Sequence, residues 1–505
     1  MARLTDLPTE ILVDVLEDPS FPSNTLYALV LTCRRLHLIA LSIYFARHSR
    51  AGTPRSMVVR MRADRQDLLA TLQMALFVPE IKDFTFIFPH PSCVTIFPLL
   101  PHLRRVQRYI ARLQSVQKVT LQLDEDRSRC LSVGGPRALR DWTTHLGGLL
   151  NCIVTKGCTS LTMRYGNQLT KPSAPNPDAA RRGVQIDRLL TFLPAFIRSS
   201  PTVQRWGSRV EMTPPSSSRH PYKLQSLTIQ SPILIVHPGL NWTLPILKHS
   251  QITSLTLGRG TEEASVWTAV LPQIASAVWS LTSLTFLDAD FLPSADILEF
   301  ISHLPLLEYL AILSRRDTES RPLVGPLSPL RHLETLRTSP TFVRHFLRHP
   351  ACFPQIKSIC ILWPDYYTPS TVGVLGPVLA ETMDTLHTRG LSPSLSISFS
   401  SVLVMDRADV SAKYSHGGFS HGGFPSLLQD IIAMEITSFN GTFWASDVPY
   451  VTAWIALCPR VQRVDITLAE SSNVDGPYIA QALEPTEFLN KVTVDGTDYA
   501  LVCCC

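Results

Sequence analysis

Apolar positions along this chain follow two rhythms that alternate, one with a period of two residues and one with a period of three to four. The first recurs as a short segment: an apolar residue, two polar ones, then apolar residues at alternate positions. It reads IKDFTFIF at 81–88, VQKVTLQL at 116–123, CTSLTMRY at 158–165, LQSLTIQ at 224–230, ITSLTLG at 252–258 and LTSLTFLD at 281–288. It continues as LEYLAIL at 307–313, LETLRTS at 333–339, IKSICIL at 356–362, SLSISFS at 394–400, AMEITSF at 433–439, VQRVDITL at 461–468 and NKVTVDG at 490–496. A period of two sends successive side chains to opposite faces of an extended chain, so each copy predicts a short strand. Between the copies, RVQRYIARL, LRDWTTHLGGLLNCIV, DRLLTFLPAFIRSS, ASVWTAVLPQIASAVW, ADILEFISHLP and VPYVTAWIALCP place apolar residues three and four apart and predict helices.

The central apolar residues set the repeat length. Leu227 to Leu255 is 28 residues, Leu255 to Leu284 is 29, Leu284 to Leu310 and Leu310 to Leu336 are 26 each, and Leu336 to Ile359 is 23. Ile436 to Val464 and Val464 to Val492 are again 28. Strand then helix, repeated at this period, predicts a parallel sheet with helices outside. No single unit can bury its own apolar face, so neighbours must stack. The body, 57–500, resembles an irregular leucine-rich-repeat-like α/β solenoid, with parallel strands inside and helices outside. The Asn that normally follows the strand in such repeats is absent from most copies. An ordinary α/β domain is the alternative.

Three longer intervals interrupt the period. Leu161 to Leu227 spans 66 residues and includes KPSAPNPD at 171–178 and TPPSSSRHPY at 213–222, both expected to be surface loops. Ile359 to Ile397 spans 38, and Ile397 to Ile436 spans 39 with SHGGFSHGGF at 415–424 inside it.

The first fifty residues follow the helical rhythm only. Leu7, Ile11, Leu12, Val15 and Leu16 predict a helix over 7–17, with Asp6 as cap and Pro8 in the first turn, where its missing N–H has no helical partner. Pro19 and Pro22 end it. A second helix is expected around 23–32, capped by Ser23 or Asn24, with Leu26, Leu29 and Val30 apolar. A third follows Cys33-Arg34-Arg35, with Leu36, Ile39, Ala40, Ile43 and Tyr44 on one side. Three short helices hold more apolar positions than their own core can hide, which predicts a partner surface. An ordinary helical lead-in to the body is the plainer reading. SRAGTPRS brings the chain to the body, the link itself being placed at 51–56.

LPTEILVDVLED followed by LYALVLTCRRLHLIAL resembles the F-box family. The matching positions are Leu7, Pro8, Glu10, Ile11, Leu12, Val15, Leu16, Leu29, Val30, Cys33, Arg34 and Leu36; Leu36 and His37 stand where the family often has an aromatic residue. The short Leu-x-x-Leu strands and prolines at helix ends of the body resemble the divergent repeats of fungal F-box proteins. The resemblance covers about a tenth of the chain. It implies that residues 1–50 dock on a Skp-type adaptor, and through it on a cullin-RING scaffold, with Leu7, Pro8, Glu10, Ile11, Leu12, Val15, Leu16, Leu29, Val30, Cys33 and Arg34 as contact residues. It also implies a substrate-recognition subunit of a ubiquitin ligase, non-catalytic itself, cytoplasmic and/or nuclear, which holds a protein target on its repeat body. A repeat scaffold that directs no degradation is the alternative.

Composition narrows the chemistry. Hydrophobic residues make up 45% and charged residues 17% of the 505, a balance that packs a core and excludes wholesale disorder. The net charge of +5 is small, and no run of five like charges appears, which argues against a nucleic-acid partner. The opening MARLTDLPTEILVDVLED lacks the apolar stretch of a signal peptide, and no segment approaches the ~18 apolar residues of a spanning helix. The eleven cysteines fall at irregular positions without a CxxC pair, as expected of reduced thiols in an intracellular protein. Nine of the 46 basic residues are lysines, none before Lys82.

Gly418-Phe419-Ser420-His421-Gly422 spells G-x-S-x-G, but a nucleophile elbow needs a strand directly before the serine, and this is a tandem HGGF repeat expected to be a loop. A serine hydrolase using Ser420 is therefore a remote alternative. His416 and His421 lack metal-site spacing. Asp124-Glu125-Asp126 reads as a solvated turn. No glycine loop cradles phosphate, so no cofactor or metal is expected. Cys503-Cys504-Cys505 resembles the terminal cysteines of prenylated GTPases, yet Val502 breaks the four-residue prenylation motif, so an unmodified tail, 501–505, is expected.

Overall fold

The computed structural model describes residues 7–48, 56–61, 68–74, 81–89, 98–123, 136–166, 212–215, 222–258, 264–287, 289, 292–313, 329–349, 354–363, 381–382, 384–391, 393–399, 431–437, 460–468, 475–483 and 489–500. The chain divides into two compact units, Met1–Val278 and Trp279–Cys505. That boundary falls inside the stretch expected to be one body.

The first unit opens with three helices, α1 (Thr9–Glu17), α2 (Ser23–Val30) and α3 (Arg34–His48). Strands and helices then alternate: β1 (Ser56–Arg60), α4 (Leu68–Met74), β2 (Asp83–Ile87), α5 (Leu99–Arg112), β3 (Lys118–Gln122), α6 (Pro136–Thr155), β4 (Ser160–Arg164), β5 (Ser226–Gln230), α7 (Leu240–His249), β6 (Ser254–Leu257) and α8 (Ala264–Ala277). Strands β1 to β6 pair in chain order, all parallel.

The second unit holds β7 (Ser283–Leu287), α9 (Ser294–Ser302), β8 (Tyr309–Leu313), β9 (Thr335–Thr338), α10 (Pro340–Leu347), β10 (Ser358–Trp363), β11 (Ser394–Phe399), β12 (Ile431–Thr437), β13 (Arg463–Thr467), α11 (Gly476–Leu483), β14 (Lys491–Val494) and β15 (Thr497–Ala500). Strands β7 to β14 also pair in order and parallel. Each copy of the two-residue rhythm is thus a strand, and the α/β architecture with a long parallel sheet is as expected.

The pair of polar residues in each copy has a backbone reason. The amides of Thr159 and Ser160 both donate to the Gln117 carbonyl, those of Gln225 and Ser226 to Thr159, and those of Thr253 and Ser254 to Gln225. The second unit repeats this: Glu308 and Tyr309 donate to Thr282, Glu334 and Thr335 to Glu308, and Lys357 and Ser358 to Glu334. Each strand therefore enters the sheet through one shared acceptor on its predecessor, which fixes the register before the alternation begins.

Alternation then sorts the faces. Phe84, Phe86, Val119, Leu121, Leu161, Met163, Leu227, Ile229, Leu255 and Leu257 are buried in the first unit, as are Leu103, Val106 and Ile110 of α5 and Leu146, Leu149 and Ile153 of α6. Tyr109 of α5 meets Phe84 of β2 edge-to-face at 5.6 Å, which ties helix to sheet. The opposite face carries a threonine column in register, Thr85, Thr120, Thr162, Thr228 and Thr256.

The structure corrects several expectations. Strand β1, which the repeat pattern did not include, runs from Ser56 to Arg60. Helix α2 stops at Val30, with Pro22 as N-cap and Ser23 already helical. Pro8 is the N-cap of α1, outside its first turn, with backbone at φ −53°, ψ 151°. Helices α4, α7, α10 and α11 were not expected; Pro245 inside α7 and Pro340 at the start of α10 hide their periodicity. Strand β15 is antiparallel to β14 across Asp495-Gly496, both at positive φ (49° and 79°). Asp-Gly between alternating residues is the signal for such a two-residue hairpin. The helices expected from 187–200 and 448–459 lie outside the described residues.

Candidate interaction surface of the N-terminal helices

Helices α1 to α3 build a small core of their own. Leu12 and Leu16 of α1, Leu26 and Val30 of α2, and Leu36, Ala40, Ile43 and Tyr44 of α3 are all buried. The entries of α1 and α2 use proline rather than a side-chain cap. The Pro8 carbonyl accepts from Leu12 N–H, and the Pro22 carbonyl accepts from Thr25 and Leu26 N–H.

Two arginines of α3 hold the ends of α1. Arg35 donates through Nη2 to the Leu7 carbonyl (2.7 Å) and to Thr9 Oγ1 (3.0 Å). Arg47 donates through Nη2 to the carbonyls of Leu16 (2.7 Å) and Asp18 (2.6 Å), and through Nη1 to Phe21. A guanidinium fork is suited to the last turn of a helix, where carbonyls lack helical partners and the dipole favours a cation. Below it, the Asp18 carboxylate accepts from the Ser20 amide at 2.8 Å, and hydrogen bonding to Ser20 holds its pKa below the usual range. The buried His37 ring donates from Nδ1 to the Val30 carbonyl at 2.9 Å, linking the end of α2 to α3.

With the core filled, large apolar side chains remain outside. Ile11 is 45% exposed, Val15 43%, Leu31 57% and Leu38 42%. Ile11 and Val15 stand one helical turn apart on the same stripe of α1. Among the described residues, the other exposed large apolar side chains are Trp279, Leu306 and Tyr478, so four of seven belong to this N-terminal module. The surrounding exposed charges differ by helix: Glu10, Asp14 and Glu17 on α1, Arg34 and Arg35 on α3.

The contact residues expected from sequence therefore separate into two groups. Leu12, Leu16 and Val30 are core of the module itself. Pro8, Glu10, Ile11, Val15, Cys33 and Arg34 are exposed, and Leu7 and Leu29 are half-buried. Leu31 and Leu38 are exposed apolar residues that the motif match did not include. Leu31 caps the end of α2 and Leu38 lies in α3, and which apolar side chains point inward was not visible in sequence.

The strand face that carries the threonine column is the second candidate surface, although Thr120, Thr162 and Ser398 on it are buried, and register decides its residues. In the first unit it carries the threonine column with Lys118 and Arg164 exposed beside it. In the second unit Arg337 of β9 donates to Ser398 Oγ of β11 at 3.1 Å. Arg463 pairs with Asp465 at 2.8 Å and Lys491 with Asp498 at 2.7 Å.

Ser420, His416, His421, Asp124, Glu125, Asp126 and Cys503–Cys505 lie outside the described residues. Among the described residues no group of three or more His, Cys, Asp or Glu side chains is placed to hold a metal ion, and no helix is long and apolar enough to cross a membrane. The Cys158 thiol is buried and pushed up to about 12 by that burial.

No protein-family model matches the sequence, and no curated protein matches it. Among solved structures, part of the fold is similar to a crystal structure of a Bacteroides fragilis protein. The identity is 13%, with 50% of this chain and 66% of that chain covered and a TM-score of 0.28. The chain thus covers just under two thirds of that protein, and a likeness this weak carries no argument about fold or function.

Proposed function

We propose that the N-terminal helices dock on a Skp-type adaptor in the manner of an F-box, and that the repeat body holds a protein target for ubiquitin transfer. The observation that carries this reading is the concentration of exposed Ile11, Val15, Leu31 and Leu38 on a module whose own core is already complete. A module with a finished core and four stranded apolar side chains gains by burying them against a partner. The sequence LPTEILVDVL…LVLTCRR supports an F-box type of partner. The chain itself performs no chemistry in this reading; holding the target near a charged conjugating enzyme supplies proximity.

Co-purification with a Skp-type adaptor tests it. The wild-type chain should retain the adaptor, and Ile11→Asp with Leu31→Asp should lose it, because each substitution places a carboxylate in an apolar interface. Both positions are solvent-exposed, so the helical circular dichroism should be unchanged. Failure of the wild-type chain to retain the adaptor, where a known F-box protein succeeds, would overturn the reading. Stability of the captured target after depletion of the chain separates a degradative role from a scaffold.

A further inference from the structure

Helix α5 carries a strongly basic outer face that the adaptor reading does not use. Its sequence, LLPHLRRVQRYIAR, contains four arginines and no acidic residue. Leu99, Leu103, Val106, Tyr109 and Ile110 point into the core of the first unit. Arg104, Arg108 and Arg112 are exposed and Arg105 is half-buried. Helix α6, packed beside it, adds exposed Arg140 and the half-buried Asp141.

Arg104, Arg108 and Arg112 stand at i, i+4 and i+8. They form one stripe with a rise of about 6 Å between successive guanidinium stems. The stripe is held in place at both ends. Arg104 Nε donates to His145 Nε2 of α6 at 2.8 Å, and Arg112 Nη1 donates to the Gln73 carbonyl of α4 at 3.2 Å. Neither partner carries a negative charge. Burial, and then the charge of Arg104, push the His145 pKa down, so the ring accepts as a neutral imidazole.

We propose that this face docks an acidic polypeptide segment in extended conformation. Alternate residues of an extended chain project on one side about 6.6–6.8 Å apart, close to the arginine spacing. Arginine suits such a partner because its planar fork matches a carboxylate with two parallel hydrogen bonds. The other anionic partners fit less well. Insertion into a membrane needs a free apolar face, and that of α5 is spent on the core. Single-stranded nucleic acid needs exposed aromatic rings to stack its bases, and the aromatic residue of this helix, Tyr109, is buried.

The test uses the full chain and a fluorescently labelled eight-residue polyglutamate peptide, with binding followed by anisotropy. Binding should be measurable at low salt and should weaken as salt is added. Arg104→Glu with Arg108→Glu and Arg112→Glu should weaken it at least about tenfold, from three exposed ion pairs lost together. The neutral set Arg104→Gln, Arg108→Gln and Arg112→Gln should weaken it less, and serves if the charge reversal disturbs folding. Lys118→Glu with Lys248→Glu, exposed on β3 and α7 of the same unit, should leave binding unchanged. Equal weakening by the lysine pair would reduce the effect to net charge and overturn the proposal. Tighter, stripe-dependent capture of a DNA duplex or of phosphatidylserine vesicles than of the peptide would overturn it as well. The experiment needs no adaptor, so its outcome is separate from that of the docking reading.

Discussion

Arg47 closes the last turn of α1 with one side chain, reaching the carbonyls of Leu16, Asp18 and Phe21. Arg47→Ala leaves three carbonyls to water and removes the cation that complements the helix dipole. A loss of roughly 1–3 kcal/mol is expected, from hydrogen bonds made by a charged donor, and chemical denaturation of the wild type and variant measures it. Arg35, which holds the other end of α1 through Leu7 and Thr9, acts in the same way on the entry turn. His145 gives the chain a pH dependence of known sign. Its folded pKa lies below the ordinary imidazole value of about 6.5, mainly through burial, with the charge of Arg104 pushing it further down and that of Asp141 opposing. The unfolded chain therefore takes up the proton first. The stabilising effect is complete above about pH 6.5 and falls as the pH drops towards the folded value. His237 shifts in the same direction, through burial. Denaturation midpoints at pH 7.5 and 5.5 should show lower stability at the acidic pH, and His145→Gln should remove part of the difference.

At the scale of elements, the short turns are as demanding as the strands. A Cβ on Gly239, at the entry to α7, would collide with the Ile233 carbonyl oxygen and lie 3.2 Å from Leu234 Cα, both backbone atoms. No side chain can move aside to make room. Gly239→Ala should destabilise the first unit by about 1–3 kcal/mol, the usual cost of overpacking, measured as a fall in its unfolding midpoint. The strands and their order were legible because two signals agreed: alternation with period two, and a polar pair before it. The shared acceptors at Gln117, Thr159 and Gln225 explain why that pair recurs. Helices α7 and α10 were not legible. Proline sits inside or at the start of each, and buried contacts (Trp242 and Ile246 in α7, Val343 and Phe346 in α10) outweigh its local cost. Strand β15 was overlooked because a four-residue antiparallel return departs from the parallel repeat.

For the whole molecule, each repeat is held by its neighbours, and chain order alone gives the strand order within each unit. The motif at residues 7–36, the thirteen strand copies and helices α5, α6, α8 and α9 between them follow from the sequence by itself, because periodicity and backbone pairing are local properties. Tertiary structure decided the rest. It turned Leu12, Leu16 and Val30 inward and left Ile11, Val15, Leu31 and Leu38 outside. It fixed which strand face carries the threonine column and brought Arg104 against His145. These outcomes depend on which surfaces meet, and a helical or alternating pattern states only that one side is apolar, leaving its partner to the packing of distant segments.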